Sequence, residues 1–248
     1  MKKTTLLFGL LSLFVSCKQS EFPAGNTFFF ENPQPINDSE LSSIPNKFQG
    51  IYMNSDSVYL NVKKNIIYTE NEFKFRIHKN QIDSLKQDFY IENGKYISKN
   101  KNEVFNSKVI GDSIELAYKD IDTFFSFSDI KKLKRINGHL VLSQKDSIYW
   151  KVKLMSLNRN TLTIKQLYSD NDLKRMDSIT KNHSKRIDST RFIIHPSRRE
   201  FSKFLELKNF GFDQKFEKIS KQFTNTISSI FYILFSQLPS SISQLPFH

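Results

Sequence analysis

Apolar and polar positions alternate along much of the chain after residue 50. The stretch SVYLNV, residues 57–62, is apolar at every second position, and so is EFKFRI, residues 72–77. A period of two with one apolar face is typical of half-buried strands in an antiparallel sheet. The middle of the chain is therefore predicted to be a series of such strands.

Turn signals lie between these alternating stretches. Asn93-Gly94 and Asn137-Gly138 each stand between apolar flanks, and Asn-Gly is the strongest short-range signal for a hairpin. Residues 147–168 read as two further strands joined at 158–160. Asp-Ser followed by an apolar residue recurs at 56, 83, 112, 146 and 177, and three of these pairs (56, 112 and 146) precede a strand-like run. Because Asp and Ser side chains bond to their own backbone, we interpret these pairs as tight turns.

Helical signals come later in the chain. Residues 169–183 begin with Ser169 and Asp172 at capping-box spacing and continue with apolar residues at helical spacing. Residues 195–212 repeat the device with Ser197 and Glu200, and Gly211 is expected to terminate that helix. Both apolar stripes are expected to face the core.

The elements together predict a β-rich α+β fold. We expect an antiparallel β-meander over residues 47–168, two C-terminal helices over 169–212 packed on the sheet, and an apolar tail over 213–248. The segments KFQGIYMNSDSVYLNV and RINGHLVLSQKDSIYWKV resemble each other, which suggests either two related halves or a partly closed barrel. The tail from Gln222 is too short an apolar run to span a bilayer, and docking on the domain is the favoured interpretation.

The N-terminus has the pattern of an export signal. Two lysines precede an apolar stretch over residues 6–15, and the only cysteine of the chain, Cys17, follows after Ser16. Residues 1–16 are therefore predicted to be a signal peptide. Ser16 at −1 is small, but Phe14 at −3 is too bulky for ordinary signal peptidase. A bulky −3 residue, a small −1 residue and a +1 cysteine instead match the bacterial lipobox, with Phe14 standing where leucine is usual.

The lipobox predicts that Cys17 is a lipidation site and not a redox or catalytic thiol. Two or three acyl chains anchor a protein durably, because each buried CH₂ contributes roughly 0.8 kcal/mol. Residues 17–46 are then the lipidated N-terminus and a spacer that contains four prolines and one glycine, with a reach of roughly 30 Å if unstructured. Within it, the patch Phe28–Phe30 is expected to pack on the domain as an extended segment.

Several of these motifs together resemble a known kind of protein. FVSC at residues 14–17, FQGIY with DSVYLNV, NGHLVLS with YWKV, and PSRREFSKFL with GF are similar to uncharacterised lipoproteins of Bacteroidetes, flavobacteria in particular. The resemblance covers most of the chain from Cys17 to about Phe212. It implies a lipid-anchored envelope protein, and it implies no activity.

Composition and charge narrow the class. A chain of 248 residues with 24 Phe is long and apolar enough to bury a core, and its 7 Gly and 7 Pro exclude collagen-like and Pro/Gly-rich classes. The formal net charge of +12 would suit a nucleic-acid partner, but the basic residues are scattered and the export signal directs the chain out of the cytoplasm. We expect no nucleic-acid partner. The predicted location is the bacterial cell envelope, with the outer membrane as the expected membrane.

The sequence points to no reaction. None of the five histidines (His78, His139, His183, His195 and His248) forms an H-x-x-x-H pair, and neither a G-x-S-x-G nor a phosphate-binding glycine loop occurs. Glu115 with Asp120 or Asp122 is the one carboxylate set in a plausible strand-edge region, and we interpret these as solvated turn residues. No catalytic residue, metal ligand or cofactor is predicted.

Three functional hypotheses remain. The first is a binding module that holds an apolar small ligand in a groove of the sheet. The residues that would line the groove, or else simply form the core, are Tyr52, Tyr59, Phe73, Phe75, Tyr149 and Trp150. The second is an inhibitor or immunity-type lipoprotein that binds an acidic protein partner, such as a secreted toxin or hydrolase, through its basic surface. The third is an enzyme whose site leaves no sequence motif.

Overall fold

The structure is a computed structural model that describes residues 22–219. Its strands are β1 Thr27–Phe30, β2 Gly50–Met53, β3 Tyr59–Val62, β4 Ile66–His78, β5 Phe89–Glu92, β6 Lys95–Ser98, β7 Val104–Ile110, β8 Ser113–Ser126, β9 Lys131–Ile136, β10 His139–Asp146, β11 Tyr149–Asn158, β12 Thr161–Gln166, β13 Lys185–Arg186, β14 Arg191–Ile194 and β15 Phe212–Lys218. Its helices are α1 Ile82–Leu85, α2 Asp170–Ile179 and α3 Arg198–Phe204, with 3-10 turns at Asn46–Phe48 and Lys79–Gln81.

The strands form one large sheet that does not close into a barrel. Along its main path the order is β13-β14-β1-β11-β12-β15-β2-β3-β4-β8-β7-β6-β5, and β10 joins β9 to β11. The pairs are antiparallel except β1 with β14, which is parallel. The predicted β-rich α+β class is confirmed, whereas the partly closed barrel is not formed.

The sheet has two parts, which we call the body and the arm. The arm is residues 70–121: the distal halves of β4 and β8, together with α1 and β5–β7. The body is residues 22–69 and 122–219. The arm has a small apolar cluster around Leu116 and Phe105, with α1 contributing Leu85. The main core therefore belongs to the body.

Two apolar clusters occupy the opposite faces of the body sheet. Strand β11 shows the division, since Met155 points into one cluster and Leu154 into the other. Core 1 collects residues of β2, β3, β4, β8, β9, β10, β11, β12 and β15 with Ile44 and Phe48 of the preceding loop. Core 2 lies under α2 and α3 and includes Met176, Phe201 and Phe204. Both predicted helical stripes face the core.

The turns predicted from local sequence signals are present in the structure. Asn93 and Gly94 have φ of 50° and 75°, Asn137 and Gly138 have 47° and 81°, and each pair connects two adjacent strands. The backbone of Ser57 and that of Ser147 also turn through positive φ, 62° and 58°, in the two segments that resemble each other. The shared Asp-Ser signal therefore corresponds to a shared turn conformation.

Both capping boxes are present, but one helix end is elsewhere than expected. Ser169 and Ser197 each accept the backbone N–H of the acidic residue three positions on, and that residue's side chain binds back. Helix α3 ends at Phe204, seven residues before Gly211. Gly211 has φ of 71° and leads into β15. The prediction that it terminates the helix is wrong.

Two of the predicted segment boundaries are also corrected. The spacer over 17–46 contains β1, whose buried Phe28–Phe30 run pairs with β11 and β14, as expected for a patch that packs on the domain. The tail over 213–248 begins inside β15, which lies between β12 and β2. Cys17 and the chain from residue 220 onward lie outside the described residues.

Candidate functional site

At the edge of core 1 one cationic side chain, that of Lys153, lies against two partly buried phenyl rings, those of Phe22 and Phe124, and we call this site the mouth. Lys153 of β11 lies on the same strand face as Met155 and so points toward core 1. Its Nζ lies 4.3 Å from the centre of the Phe22 ring and 4.6 Å from that of Phe124. Both contacts are within cation–π range. The ammonium is thus held between two phenyl rings at the rim of the core.

Burial is the main influence on this amine. It lowers the pKa of Lys153 from 10.5 to about 8, and the nearby Lys131 and Lys151 lower it further while Asp122 opposes them. Among residues 22–219 no carboxylate lies within 4.0 Å of the Lys153 ammonium. The mouth is therefore a weakly compensated positive site with an aromatic lining.

The first described residues are fastened beside this mouth. The ring of Phe22 meets that of Phe212 edge-on at 6.1 Å. Four residues later the Asn26 N–H donates to the Tyr168 carbonyl at 2.6 Å, and a Cβ on Gly25 would lie 2.4 Å from that same oxygen. The chain between Phe22 and Asn26 therefore packs tightly against the body.

The aromatic residues predicted to line a ligand groove do not come together. Tyr52 is fully buried in core 1, where its hydroxyl donates to the Phe48 carbonyl at 2.8 Å. Trp150 belongs to core 2, while Phe73 and Phe75 lie on the arm. Tyr149 packs against Phe29 at 5.9 Å, and Tyr59 is half-buried on β3. These six residues therefore do not line a common groove. Their positions favour the alternative, that they are mainly packing residues.

The carboxylates and histidines considered for chemistry are dispersed. Glu115 is paired with Arg76 on the arm at 2.9 Å, whereas Asp122 is on the body facing Lys153. His195 Nδ1 lies 3.4 Å from Glu31, and His78 and His139 contact neighbours two residues away. Within residues 22–219 no three His, Cys, Asp or Glu side chains are grouped closely enough to hold a metal ion. His248 lies outside the described residues.

A second feature is an open polar pocket of about 340 Å³ beside the loop that follows β1. Asp38 in its wall is paired with Arg198 of α3 at 2.5 Å, and Arg135 of β9 completes the charged lining. The Leu41 N–H donates to the Leu133 carbonyl at 2.8 Å, which covers the outer edge of β9. The pocket thus lies where this loop crosses a sheet edge.

A buried polar cluster fixes the start of the same loop. The ammonium of Lys134 donates to the carbonyls of Pro33 and Pro35 at 3.1 and 3.0 Å, and burial lowers its pKa. The backbone N–H of Gln34 donates to Ser143 Oγ at 3.3 Å. These hydrogen bonds to backbone carbonyls explain how a lysine is accommodated at a nearly buried position.

Comparison with known proteins adds no relative: no protein-family model, curated protein or solved structure matches the chain. Among residues 22–219 the structure has no helix long and apolar enough to cross a bilayer. The mouth was not predicted from the sequence, although the period-two pattern KVKLM at 151–155 places Lys153 on the same strand face as Met155. The contact with Phe22, across the whole β domain, leaves no local signal.

Proposed function

We propose that this chain is a lipid-anchored protein of the bacterial cell envelope that works by binding a partner. The observation that carries the proposal is the N-terminal order of two lysines, an apolar run, Ser16 and the single cysteine Cys17. The packing of Phe22 beside the mouth supports it, because Phe22, only five positions after Cys17, already packs on the body, as expected if the mature chain begins at Cys17.

Binding is supported by the arm. Ile91 and Val109 are 57% and 63% exposed, although α1 covers other apolar residues of the same face. The arm carries nine Lys or Arg and nine Asp or Glu over residues 70–121, so it has no net charge. A neutral surface with exposed aliphatic groups suits an apolar, uncharged protein surface, which is the partner we propose for the arm.

Metabolic labelling with an alkyne fatty acid tests the anchor. The protein made in a bacterial host should incorporate the label, and Cys17→Ser should not. Ser16→Ala keeps a small residue at −1 and should remain labelled, which controls for damage to the signal. Incorporation into Cys17→Ser would contradict lipidation at Cys17.

A photo-crosslinking residue at position 91 tests the arm. We expect one discrete adduct, whose partner then binds the purified protein in a manner lost in Ile91→Glu. Ile187→Glu is the matched control, since Ile187 is an exposed isoleucine on the body. Equal binding by the two variants would contradict a role for the arm.

A second candidate, an inhibitor or immunity-type lipoprotein with an acidic partner, is favoured by the charge of the body. The body, residues 22–69 and 122–219, carries 24 Lys or Arg against 15 Asp or Glu. Binding of this kind weakens steeply with salt, because the on-rate depends on long-range attraction. An association that is insensitive to salt would favour the arm instead.

A further inference from the structure

The distance from the proposed anchor to the body is short. Phe22 is five positions after Cys17, and five fully extended residues span at most about 18 Å. The radius of gyration of a domain of about 200 residues is about 16 Å. An acylated Cys17 therefore cannot be far from the end of the body where Phe22 is packed.

That end of the body exposes two isoleucines. Ile130, in the turn between β8 and β9, is 53% exposed, and Ile148, in the turn between β10 and β11, is 68% exposed. They are the two most exposed large aliphatic residues of the described body. The Lys145 N–H donates to the Ile130 carbonyl at 2.7 Å, which joins the two turns.

The same end is basic. Lys131 follows Ile130 directly. Gln144 of β10 pairs with Lys131 on one side and with Lys151 of β11 on the other, so the two lysines flank the same residue. Lys151 is two residues from Lys153, the lysine that contacts Phe22, and so lies on the same face of β11. The acids nearby are Asp129, which directly precedes Ile130, Asp146, paired with Lys151 at 2.5 Å, and Asp122.

We propose that one end of the body lies on the membrane surface and contacts anionic phospholipid headgroups. This end is formed by Phe22, Ile130 and Ile148 with Lys131, Lys151 and Lys153. The inference rests on the proposed anchoring at Cys17. Aliphatic side chains flanked by lysines suit the boundary between headgroups and acyl chains, where the apolar groups insert and the ammonium groups meet phosphates. The anchor would then fix orientation as well as location.

The 158–160 turn provides an internal reference. It lies at the other end of β11 from Ile148, about 30 Å along the strand. Once Cys17 is acylated the chain holds no other cysteine, so a single new cysteine can be spin-labelled cleanly. Ile148→Cys and Asn160→Cys therefore report on the two ends of the same lipidated protein.

Each labelled protein is reconstituted in vesicles of phosphatidylethanolamine and phosphatidylglycerol, and collisions with oxygen and with a water-soluble nickel chelate are measured. We expect the label at 148 to be shielded from nickel and accessible to oxygen, and the label at 160 to be accessible to nickel. Lys131→Gln with Lys151→Gln should reduce the shielding at 148. Arg159→Gln with Lys218→Gln removes two exposed charges at the 158–160 turn, where the Lys218 N–H donates to the Asn160 carbonyl, and should leave the shielding unchanged.

The outcomes separate the two proposals. Equal nickel access at 148 and 160, in protein whose mass shows an acylated Cys17, would overturn the orientation and leave the anchoring intact. A mass without acyl chains would overturn the anchoring and the inference with it. Shielding at 148 that is the same in phosphatidylcholine vesicles, and in the Lys131/Lys151 variant, would overturn the role of anionic headgroups.

Discussion

The side chain of Asp172 in α2 accepts the backbone N–H of Gly211, 39 residues later, at 2.8 Å. Its other oxygen accepts the N–H groups of Tyr168 and Ser169 at 3.1 and 3.0 Å. A capping residue thus also fixes the point where β15 enters the sheet. The contact joins the helical segment to a strand that lies between β12 and β2.

Asp172→Ala should lower the free energy of unfolding by about 2–4 kcal/mol, because three backbone donors lose their acceptor around a side chain that is nearly inaccessible. Urea denaturation followed by the fluorescence of the single tryptophan, Trp150, measures this. Asp170→Ala, in the same helix turn but exposed, should cost less than about 1 kcal/mol. Equal losses in the two variants would show that the link to Gly211 adds nothing.

Gly211→Ala should be more damaging than Gly111→Ala. Both glycines have positive φ, 71° and 56°, so an alanine is strained at either position. Only at Gly211 would the new Cβ also collide, at 2.9 Å from the Gln166 carbonyl, whereas nothing lies within 4 Å at Gly111. Thermal unfolding should show a loss of about 1 kcal/mol for Gly111→Ala and a clearly larger one for Gly211→Ala. Matching melting temperatures would contradict a close approach of β15 to β12 at this point.

Lys134→Met should destabilise the loop that covers the β9 edge. The methionine keeps the apolar stem but leaves the Pro33 and Pro35 carbonyls without their donor, at an expected cost of about 2–3 kcal/mol. Lys132→Met removes only an ion pair with Glu40 near the surface and should cost less than about 1 kcal/mol. Hydrogen exchange at the Leu41 amide gives a local readout, and it should speed up in the Lys134 variant alone.

The features that were predictable are those determined by a few neighbouring residues. The Asn-Gly hairpins and the two capping boxes depend on backbone bonds that close within four positions, and they formed as expected. Strand β15 was missed because FDQKFEK has only two apolar residues, and its place in the sheet depends on β12 and β2, which are distant in sequence. The helix after Ser197 was expected to run to Gly211 because glycine commonly ends a helix, yet Leu207 and Phe210 pack on core 2 from a non-helical segment.

The mouth itself should give a measurable dependence of stability on pH. The pKa of Lys153 is about 8 in the folded protein and about 10.5 when unfolded, so between these values the unfolded chain holds a proton that the folded chain has released. The contribution of this lysine to stability therefore rises with pH across that window and is least favourable below pH 8. Lys153→Met, measured in nonionic detergent, should be more stable than the natural chain at pH 7, by at most about 3 kcal/mol, and the difference should shrink toward pH 10.5. Parallel curves for the natural chain and Lys153→Met would contradict a buried amine with a lowered pKa at the mouth.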